Sequence, residues 1–332
     1  MHNDFTLKMK TKLFGTQTGM TASELILGTA MFGNRSGYSA DKDVATEIFN
    51  AYKEAGGNFI DTSDAYQFGE SEEIIGELIS GNRQNFIICS KYSRTHYQNP
   101  SIAIKGNHRK AMIESVENSL RRLKTDYIDF YMPHYDDLKT PFEEVIRGME
   151  DLVKSGKIIY PGLANFPAWK AAAIAAWTNA LHLTPLAAIQ IEYNLLQRTA
   201  DRELWFMAKN FGLGVMMYSP LAGGLLTGKY RGDEKGRLSL KSNTSPEENT
   251  LTNVVNDYLT FVAEEMDSTS AAVAMAWNAT KDGFTIIGPR TLNQLNDYIQ
   301  ATTLTLSQTQ IDRLNKISAV DLGYPYELLL KN

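Results

Sequence analysis

Four titratable side chains of different types stand at or just after three runs of strand-forming residues. Asp61 and Tyr66 follow the second run of the chain, Lys91 follows the third and His134 follows the fourth. A tyrosine, with an ordinary pKa near ~10, is a weak acid at neutral pH, but a lysine cation beside it favours the phenolate. A carboxylate can hold that lysine in place, and a histidine can orient a carbonyl group or share its proton. These residue types therefore predict proton transfer to a small molecule, if the fold brings them together.

Each of these residues, taken alone, also has a structural interpretation. Asp61 could cap a strand end, and Tyr66 could be a half-buried packing residue. Lys91 could be a solvated loop residue, and His134 could be a hydrogen-bonded core histidine. The catalytic interpretation is favoured by what they share, which is a place at the ends of strands. The arrangement of the strands therefore decides between the two.

The strand-forming runs recur at a nearly regular interval, with helical patterns between them. The predicted strands span residues 24–28, 58–61, 86–90, 127–132, 158–163, 188–192, 214–217 and 284–287. Eight alternating strand and helix units predict an α/β fold, a closed (β/α)8 TIM barrel of parallel strands. An open, doubly wound sheet with a second domain is the alternative. Because no linker rich in proline or serine divides the sequence, we expect one domain over residues 1–332.

Segments outside this rhythm complete the prediction. Residues 9–19 predict a hairpin before the first strand, closing the bottom of the barrel. Residues 307–318 predict an extra C-terminal helix, and the polar residues 231–250 predict a mobile loop. Since functional groups of such barrels lie past the C-terminal ends of the strands, we expect the four titratable side chains to meet at the barrel mouth.

Composition excludes several classes of protein. The 332 residues include 33 Lys and Arg against 38 Asp and Glu, and the resulting net charge of −5 argues against a nucleic-acid or anionic-membrane binder. Cys89 is the single cysteine, which excludes an intrachain disulfide and a cysteine-rich metal site, and we expect no metal. The sequence has no apolar signal segment and no run long enough to span a bilayer, so we expect a cytoplasmic protein without a membrane partner.

Two longer motifs carry a family resemblance. GGNFIDTSDAYQFGESEEIIGELI at residues 56–79 and SLRRLKTDYIDFYMPH at residues 119–134 resemble the two signatures of the aldo-keto reductase family. The resemblance covers nearly the whole chain, and KGNHRK and YSPLAGGLLTGKY resemble the bacterial and fungal aryl-alcohol dehydrogenase-like members. It implies a (β/α)8 barrel and NAD(P)H-dependent reduction of aldehydes or ketones. It also implies a catalytic tetrad, which maps onto Asp61, Tyr66, Lys91 and His134.

The cofactor site is expected at the last strands rather than at a Rossmann motif, because no G-x-G-x-x-G follows the first strand. Residues 223–229 match G-x-x-x-x-G-K, but Tyr230 stands where a nucleoside triphosphatase needs Ser or Thr. A glycine-rich turn there can still cradle a pyrophosphate through its backbone N–H groups. Arg290, just past the last strand, could pair with a 2′-phosphate, which favours NADP(H) and leaves NAD(H) as the second candidate.

The family resemblance extends this cofactor site to further positions. It implies that Tyr218 stacks on the nicotinamide and that Asn165 and Gln190 hold its carboxamide, with Ala164 standing where the family has a serine. The full set of expected cofactor contacts is Gly28, Thr29, Asn165, Gln190, Tyr218, Ser219, Leu221, Gly223, Lys229, Gly288, Arg290 and Gln294.

The predicted activity is NADPH-dependent reduction of an aldehyde or ketone, with Tyr66 as the proton donor and a small-molecule carbonyl or alcohol as the partner. Expected substrate contacts are Phe32, Tyr66, His134 and Tyr92, together with the loops at residues 92–97 and 323–326. A cofactor-sensing regulatory subunit built on the same barrel, with little turnover, is the alternative. No motif in the sequence indicates an oligomeric state.

Overall fold

A closed barrel of eight parallel strands forms the centre of the molecule. The computed structural model describes residues 8–37, 39–231 and 250–329, so most of the loop expected at residues 231–250 lies outside the described residues. Two short antiparallel strands come first, β1 (Thr11–Leu13) and β2 (Thr21–Ser23). The barrel strands are β3 (Leu25–Gly28), β4 (Phe59–Asp61), β5 (Ile87–Tyr92), β6 (Ile128–Pro133), β7 (Ile158–Ala164), β8 (Ala188–Glu192), β9 (Gly214–Tyr218) and β10 (Phe284–Ile287). They follow one another around the barrel in chain order, and β10 pairs with β3, which confirms the predicted TIM barrel.

Helices connect the strands and surround the barrel. They are α1 (Lys42–Glu54), α2 (Glu70–Leu78), α3 (Arg109–Leu123), α4 (Phe142–Lys154), α5 (Ala168–Ala180), α6 (Leu204–Phe211), α7 (Thr250–Glu265), α8 (Ser270–Ala279), α9 (Leu292–Ala301), α10 (Gln308–Ile317) and α11 (Tyr326–Leu329). The extra C-terminal helix predicted at residues 307–318 is α10, which begins with a capping box between Ser307 and Gln310. None of the described helices is both long and apolar enough to cross a membrane.

The N-terminal hairpin closes the bottom of the barrel, as predicted, although its second strand lies beyond residue 19. The ring of Phe14, between the two hairpin strands, is fully buried, with ring centres 5.5 Å from Phe59, 4.7 Å from Phe130 and 4.9 Å from Phe284. Gly214 leaves room for it, because an added Cβ there would collide with the ring. The barrel interior is thus filled by aromatic side chains at one end, and polar chemistry is confined to the other.

Strand alternation determines which side chains reach the inside of the mouth. In β5 the side chains of Ile87 and Cys89 face the barrel core, and Lys91 continues that face two residues later. The strand ends two residues later than predicted, so Lys91 lies within β5 rather than after it. Asp61 is the last residue of β4 and pairs in register with Cys89. The fold therefore brings the first pair of candidate residues to neighbouring strands.

Candidate active site

Asp61 and Lys91 form a buried ion pair at the inner end of the mouth. The Lys91 ammonium is fully buried and donates to Asp61 Oδ1 at 2.6 Å and to the carbonyl oxygen of Thr62 at 2.7 Å. The Gln190 amide donates to the same Asp61 oxygen at 2.7 Å from across the barrel. Burial lowers the pKa of Lys91, but Asp61 and Tyr66 outweigh it and the net direction is upward, so the ammonium stays charged.

Tyr66 lies on a constrained turn that follows β4. The turn spans Tyr66–Gly69, and Gln67 (φ 50°) and Phe68 (φ 55°) both have left-handed backbone conformations that non-glycine residues rarely adopt. The buried Gln67 side chain supports it by donating to the Ala30 carbonyl and accepting from Ser36. The Lys91 ammonium lies 5.1 Å from the centre of the Tyr66 ring. Strain of this kind persists only where the surroundings impose it, so the turn fixes the tyrosine beside the ion pair.

His134 completes the group from the end of β6. Its ring meets the Tyr66 ring edge to face, with ring centres 5.8 Å apart, and its Nδ1 lies 3.1 Å from the Ser63 hydroxyl. Burial lowers the pKa of His134 to about 2, and the positive charges of Lys91 and Arg94 contribute to the decrease. The imidazole is therefore neutral, and one ring nitrogen donates while the other accepts.

The phenol of Tyr66 differs in one respect from the sequence prediction. Lys91 does act to lower the pKa of Tyr66, but burial is the larger influence and Asp61 adds to it, so the net direction is upward. The predicted effect of Lys91 is thus present, but it does not determine the net direction of the pKa. The cause is desolvation, which the sequence does not reveal. The consequence is a phenol that keeps its proton at neutral pH.

A cavity of about 1020 Å³ opens above these residues and contains most of the predicted site. Of the expected contacts, its lining includes Gly28, Asp61, Tyr66, His134, Asn165, Gln190, Tyr218, Ser219, Leu221, Gly223, Lys229, Gly288, Arg290 and Gln294. The cavity is therefore continuous from the ion pair on β4 and β5 to the segments after β9 and β10.

The segment after β9 forms a tight glycine turn at the cavity wall. Gly223 (φ 67°) and Gly224 (φ 100°) have left-handed conformations, and the Tyr230 hydroxyl donates to the Gly223 carbonyl at 3.2 Å. A Cβ added at Gly224 would lie 2.8 Å from the Lys229 ammonium, so the lysine side chain would have to move, and the left-handed backbone also favours glycine here. The arrangement offers backbone groups and one cation to an anionic ligand.

The segment after β10 contributes a second cation together with a carboxylate. Arg290 precedes Thr291, the N-cap residue of α9, and its backbone N–H donates to the Gln294 side chain at 2.9 Å. Asp297 and Tyr298 line the same part of the cavity. Burial raises the pKa of Tyr298 to about 12, with Asp297 adding to the increase and Arg290 opposing it, which places both charges around this ring.

Two predicted carboxamide contacts already have protein partners. The Asn165 side chain donates to the His134 carbonyl at 2.8 Å and accepts from the Tyr218 hydroxyl at 2.9 Å. The side-chain nitrogen of Gln190 already donates a hydrogen bond to Asp61. Asn165 also has a left-handed backbone, with φ 56°. Both side chains face the cavity, but a bound amide would have to share or replace these hydrogen bonds.

Three expected contacts do not lie at the cavity surface. Phe32 and Tyr92 are fully buried and do not line the cavity, and Tyr92 stacks on Tyr131 with ring centres 5.3 Å apart. The buried Thr29 hydroxyl bonds to the Asp61 carbonyl and to Ser71 and is absent from the lining. The structure does not bring these three residues to the cavity surface, because sequence position near a strand end does not reveal which way a side chain will face. Residues 323–326 likewise do not line the cavity.

Other lining residues were missed by the sequence analysis. Arg94 and Tyr135 line the cavity near His134, and Met31 lines it from the loop after β3. Arg94 stands between Ser93 (φ 95°) and Thr95 (φ 65°), both buried, whereas Arg94 itself is exposed. Its position within the predicted loop at residues 92–97 was the available signal.

Comparison with known proteins agrees with this geometry. The model of the aldo/keto reductase family matches residues 24–319. An aldo-keto reductase of Emericella nidulans is 33% identical, covering 96% of this chain and 83% of its own. The norsolorinic acid reductase of Aspergillus flavus is 30% identical, with 96% and 84% covered. An aryl-alcohol dehydrogenase [NADP(+)] of Phanerodontia chrysosporium is 30% identical, with 93% and 86% covered. The chain therefore belongs to the aldo/keto reductase family, as its sequence motifs predicted.

Proposed function

We propose that this protein is an NADPH-dependent reductase of aldehydes or ketones, with Tyr66 as the proton donor. The observation that carries the proposal is the grouping of a protonated phenol, a neutral imidazole and Asp61 at the wall of one large cavity, with the fully buried Lys91 paired to Asp61. Family membership supports an oxidoreductase, and the name of one relative includes NADP(+). Proton donor, ion pair and imidazole are the parts that carbonyl reduction needs from a protein.

The chemistry of the cavity wall fits a nicotinamide dinucleotide. Lys229 and Arg290 offer cations to phosphates, and the left-handed Gly223 and Gly224 let backbone groups approach them. These groups follow β9 and β10, whereas Lys91 and His134 belong to β5 and β6 on the far side of the barrel. An extended ligand that binds phosphate on one side and reacts on the other suits this arrangement. When bound, the nicotinamide supplies a hydride to the carbonyl carbon.

The remaining steps belong to the side chains of this chain. Tyr66 holds the proton that the substrate oxygen takes up, since burial keeps its hydroxyl protonated at neutral pH. Lys91 stabilises the phenolate that remains, and Asp61 fixes the Lys91 ammonium at 2.6 Å. His134 is neutral and can offer one hydrogen bond to the substrate oxygen, which orients the carbonyl toward Tyr66.

Cofactor preference is proposed to depend on opposing charges near α9. Arg290 can pair with a 2′-phosphate, whereas Asp297 beside it suits the 2′-hydroxyl of NAD(H). We therefore expect NADPH to be preferred and NADH to be used more weakly. Arg94 and Tyr135, close to His134, lie on the substrate side of this arrangement.

The direct test of the proposed function is an oxidation assay with NADPH and NADH against aromatic, aliphatic and sugar aldehydes. Consumption of NADPH with at least one aldehyde class is the expected result. A protein that binds NADPH but oxidises it with none of these substrates would favour the regulatory alternative.

The proton donor is tested by Tyr66→Phe. We expect turnover to fall by ~10²-fold or more, the scale of a general acid, while NADPH still binds. Tyr92→Phe is the matched control, because Tyr92 is a buried tyrosine outside the cavity whose hydroxyl bonds only to the Asn107 carbonyl among the described residues. Near-normal turnover of Tyr66→Phe, with the chemical step rate-limiting, would remove Tyr66 from this role.

A further inference from the structure

A chain of buried polar side chains leads from His134 away from the cavity. His134 Nδ1 lies 3.1 Å from the Ser63 hydroxyl, and that hydroxyl lies 3.3 Å from Asp64 Oδ1. Ser63 and Asp64 are both fully buried, and neither lines the cavity. The chain therefore joins a cavity residue to a carboxyl group that no substrate can touch.

Asp64 is an incompletely satisfied acid in this interior. Its Oδ2 makes no well-formed hydrogen bond among the described residues, although the nearby Ser115 hydroxyl acts to lower its pKa. The charged and titratable groups that face it are Glu72, Arg122 and Tyr131, and Arg122 Nε already donates to Glu72 Oε2 at 2.8 Å. Burial raises the pKa of Asp64 to about 7, and Glu72 adds to the increase while Arg122 opposes it. Asp64 thus changes its protonation state in the neutral range.

The direction of each hydrogen bond in the chain follows from counting protons. When Asp64 is a carboxylate it can only accept, so it receives the Ser63 hydroxyl proton. The Ser63 oxygen then accepts from His134 Nδ1–H, and the neutral imidazole has its lone pair on Nε2. In this state His134 offers an acceptor to the cavity.

Protonation of Asp64 on Oδ1, the oxygen that contacts Ser63, reverses the order. Its carboxylic O–H can donate to Ser63, whose oxygen also accepts from the backbone N–H of Ala65 at 3.3 Å. Both lone pairs of the Ser63 oxygen are then used, so the contact with His134 requires Ser63 to be the donor. The Lys91 carbonyl, 3.3 Å from Ser63, competes for the Ser63 hydroxyl proton. If Ser63 donated to that carbonyl instead, His134 Nδ1 would have no hydrogen-bond partner. His134 then carries its proton on Nε2.

We propose that Asp64, acting through Ser63, sets the tautomer of His134: protonated Asp64 gives the Nε2–H form and ionised Asp64 gives the Nδ1–H form. Among the described residues, His134 Nε2 has no hydrogen bond, so it is the nitrogen available to a ligand. Only the Nε2–H form can donate to a carbonyl oxygen. The functional consequence rests on the proposed carbonyl reduction, whereas the tautomer switch does not. Asp64 is a positioning residue, since it acts through another side chain.

The groups around His134 itself do not supply the same titration. Lys91 and Arg94 are the cations that act on it, and the rings of Tyr66 and Tyr135 contact it. The pKa of Lys91 is raised and that of Tyr66 is raised as well, so neither changes charge near neutral pH. A neutral-range change at His134 would therefore originate at Asp64.

The switch is measurable by nitrogen NMR of 15N-histidine-labelled protein without cofactor or substrate, across the neutral pH range. The shifts of Nδ1 and Nε2 identify which nitrogen carries the proton, and His134→Gln assigns the signal among the five histidines. We expect the wild type to convert from Nε2–H to Nδ1–H as the pH rises. Asp64→Asn and Ser63→Ala should each give a tautomer ratio that no longer depends on pH, and Ser63→Thr should restore the dependence.

Asp129→Asn is the matched control, because Asp129 is another buried carboxylate, paired with Arg83 at 2.5 Å and remote from this chain of contacts. It should keep the wild-type tautomer change. A wild-type His134 signal that does not change tautomer with pH, or one that changes equally in Asp64→Asn, would overturn the proposal. If Asp64→Asn does not fold, the pair Ser63→Ala and Ser63→Thr decides.

The kinetic readout separates this inference from the proposed function. In reduction, kcat/KM of the wild type should fall as Asp64 ionises, and that limb should be absent from Ser63→Ala. A tautomer change in the NMR experiment without any carbonyl reduction would leave the switch standing and refute the proposed function alone. Reduction without a tautomer change would do the reverse.

Discussion

Lys91 is a buried cation whose charge has both a structural and an electrostatic role. It is fully buried, and its pair with Asp61 means that removing one partner leaves the other unpaired in the interior, at a typical cost of ~3–5 kcal/mol. Lys91→Met should therefore destabilise the protein as well as remove most activity. In alcohol oxidation, Tyr66 must accept a proton as phenolate. Oxidation activity should rise with pH as Tyr66 loses its proton. Because the lost cation would raise the tyrosine pKa further, this rise should move to higher pH.

A double variant separates the two roles of Lys91. Lys91→Met with Asp61→Asn removes both charges, so no unpaired carboxylate remains, and part of the stability should return. The rise of oxidation activity should still occur at higher pH than in the wild type, since the cation is still missing. If the residual oxidation activity of either variant rises at the same pH as in the wild type, with the chemical step rate-limiting, Lys91 does not lower the pKa of Tyr66. The measurements are denaturant unfolding and the pH dependence of oxidation.

Arg290 is the residue on which cofactor choice is expected to depend. Arg290→Ala should weaken NADPH binding by ~1–3 kcal/mol, the scale of a lost charge-assisted hydrogen bond, and NADH binding much less. Lys229→Ala is the control, since a cation beside the glycine turn would contact phosphates common to both cofactors and its loss should weaken both alike. Equal losses for NADPH and NADH in Arg290→Ala would refute a 2′-phosphate contact.

Some residues of the site can be predicted from the sequence, and others cannot. Asp61 and Lys91 could be found because strand alternation and strand ends are legible in the sequence, and the structure places them in one ion pair. The burial of Phe32 depends on a loop path that no local pattern determines, and that of Tyr92 follows from the extension of β5, which turns its side chain to the face opposite Lys91. The raised pKa of Tyr66 was missed for a related reason, because desolvation depends on every neighbour at once.

Among the structural elements, the N-terminal hairpin is expected to contribute to the stability of the barrel but not to the active site. Phe14 fills the barrel bottom against Phe59, Phe130 and Phe284. Phe14→Ala should lower the free energy of unfolding by ~3–5 kcal/mol, through lost burial and the cavity left behind. At temperatures where the variant is folded, its KM values should match the wild type, because the cavity lies at the opposite end of the strands.

Leu13→Ala is the control for this prediction. Leu13 is the neighbouring hairpin residue and is 51% exposed, so its truncation should change stability by less than ~1 kcal/mol. Comparable destabilisation by the two variants would mean that the hairpin acts through its backbone pairing rather than through the Phe14 ring. Thermal or denaturant unfolding of both proteins decides.

The elements differ in how well their sequences predict them. Strands β8 and β10 have the predicted bounds, whereas β5 runs two residues further because Lys91 and Tyr92 continue its pairing with β6. The end of a parallel strand is set by its neighbour's hydrogen bonds, which are not local information. The turn at Tyr66–Gly69 is not predicted from the sequence either, since two of its three left-handed residues, Gln67 and Phe68, are not glycine.

At the scale of the whole molecule, the charge distribution opposes the net charge. The chain carries −5, yet Arg94, Lys229, Arg231 and Arg290 all line the cavity, against Asp61 and Asp297 among the described lining residues. We therefore expect an anionic ligand to be attracted by the mouth rather than by the protein as a whole. Closely placed charges inside a cavity are partly shielded from salt, but the approach of the ligand is not.

This distribution predicts a salt dependence that differs between cofactors. Raising the ionic strength shortens the screening length from ~10 Å at 0.1 M to ~3 Å at 1 M, so the KM for NADPH should increase more than the KM for NADH. The difference reflects the additional 2′-phosphate and should disappear in Arg290→Ala, whose two KM values should increase in parallel. An uncharged osmolyte at matched osmolality controls for effects other than screening. If the two KM values of the wild type increased equally with ionic strength, the protein would distinguish the cofactors by shape rather than by charge.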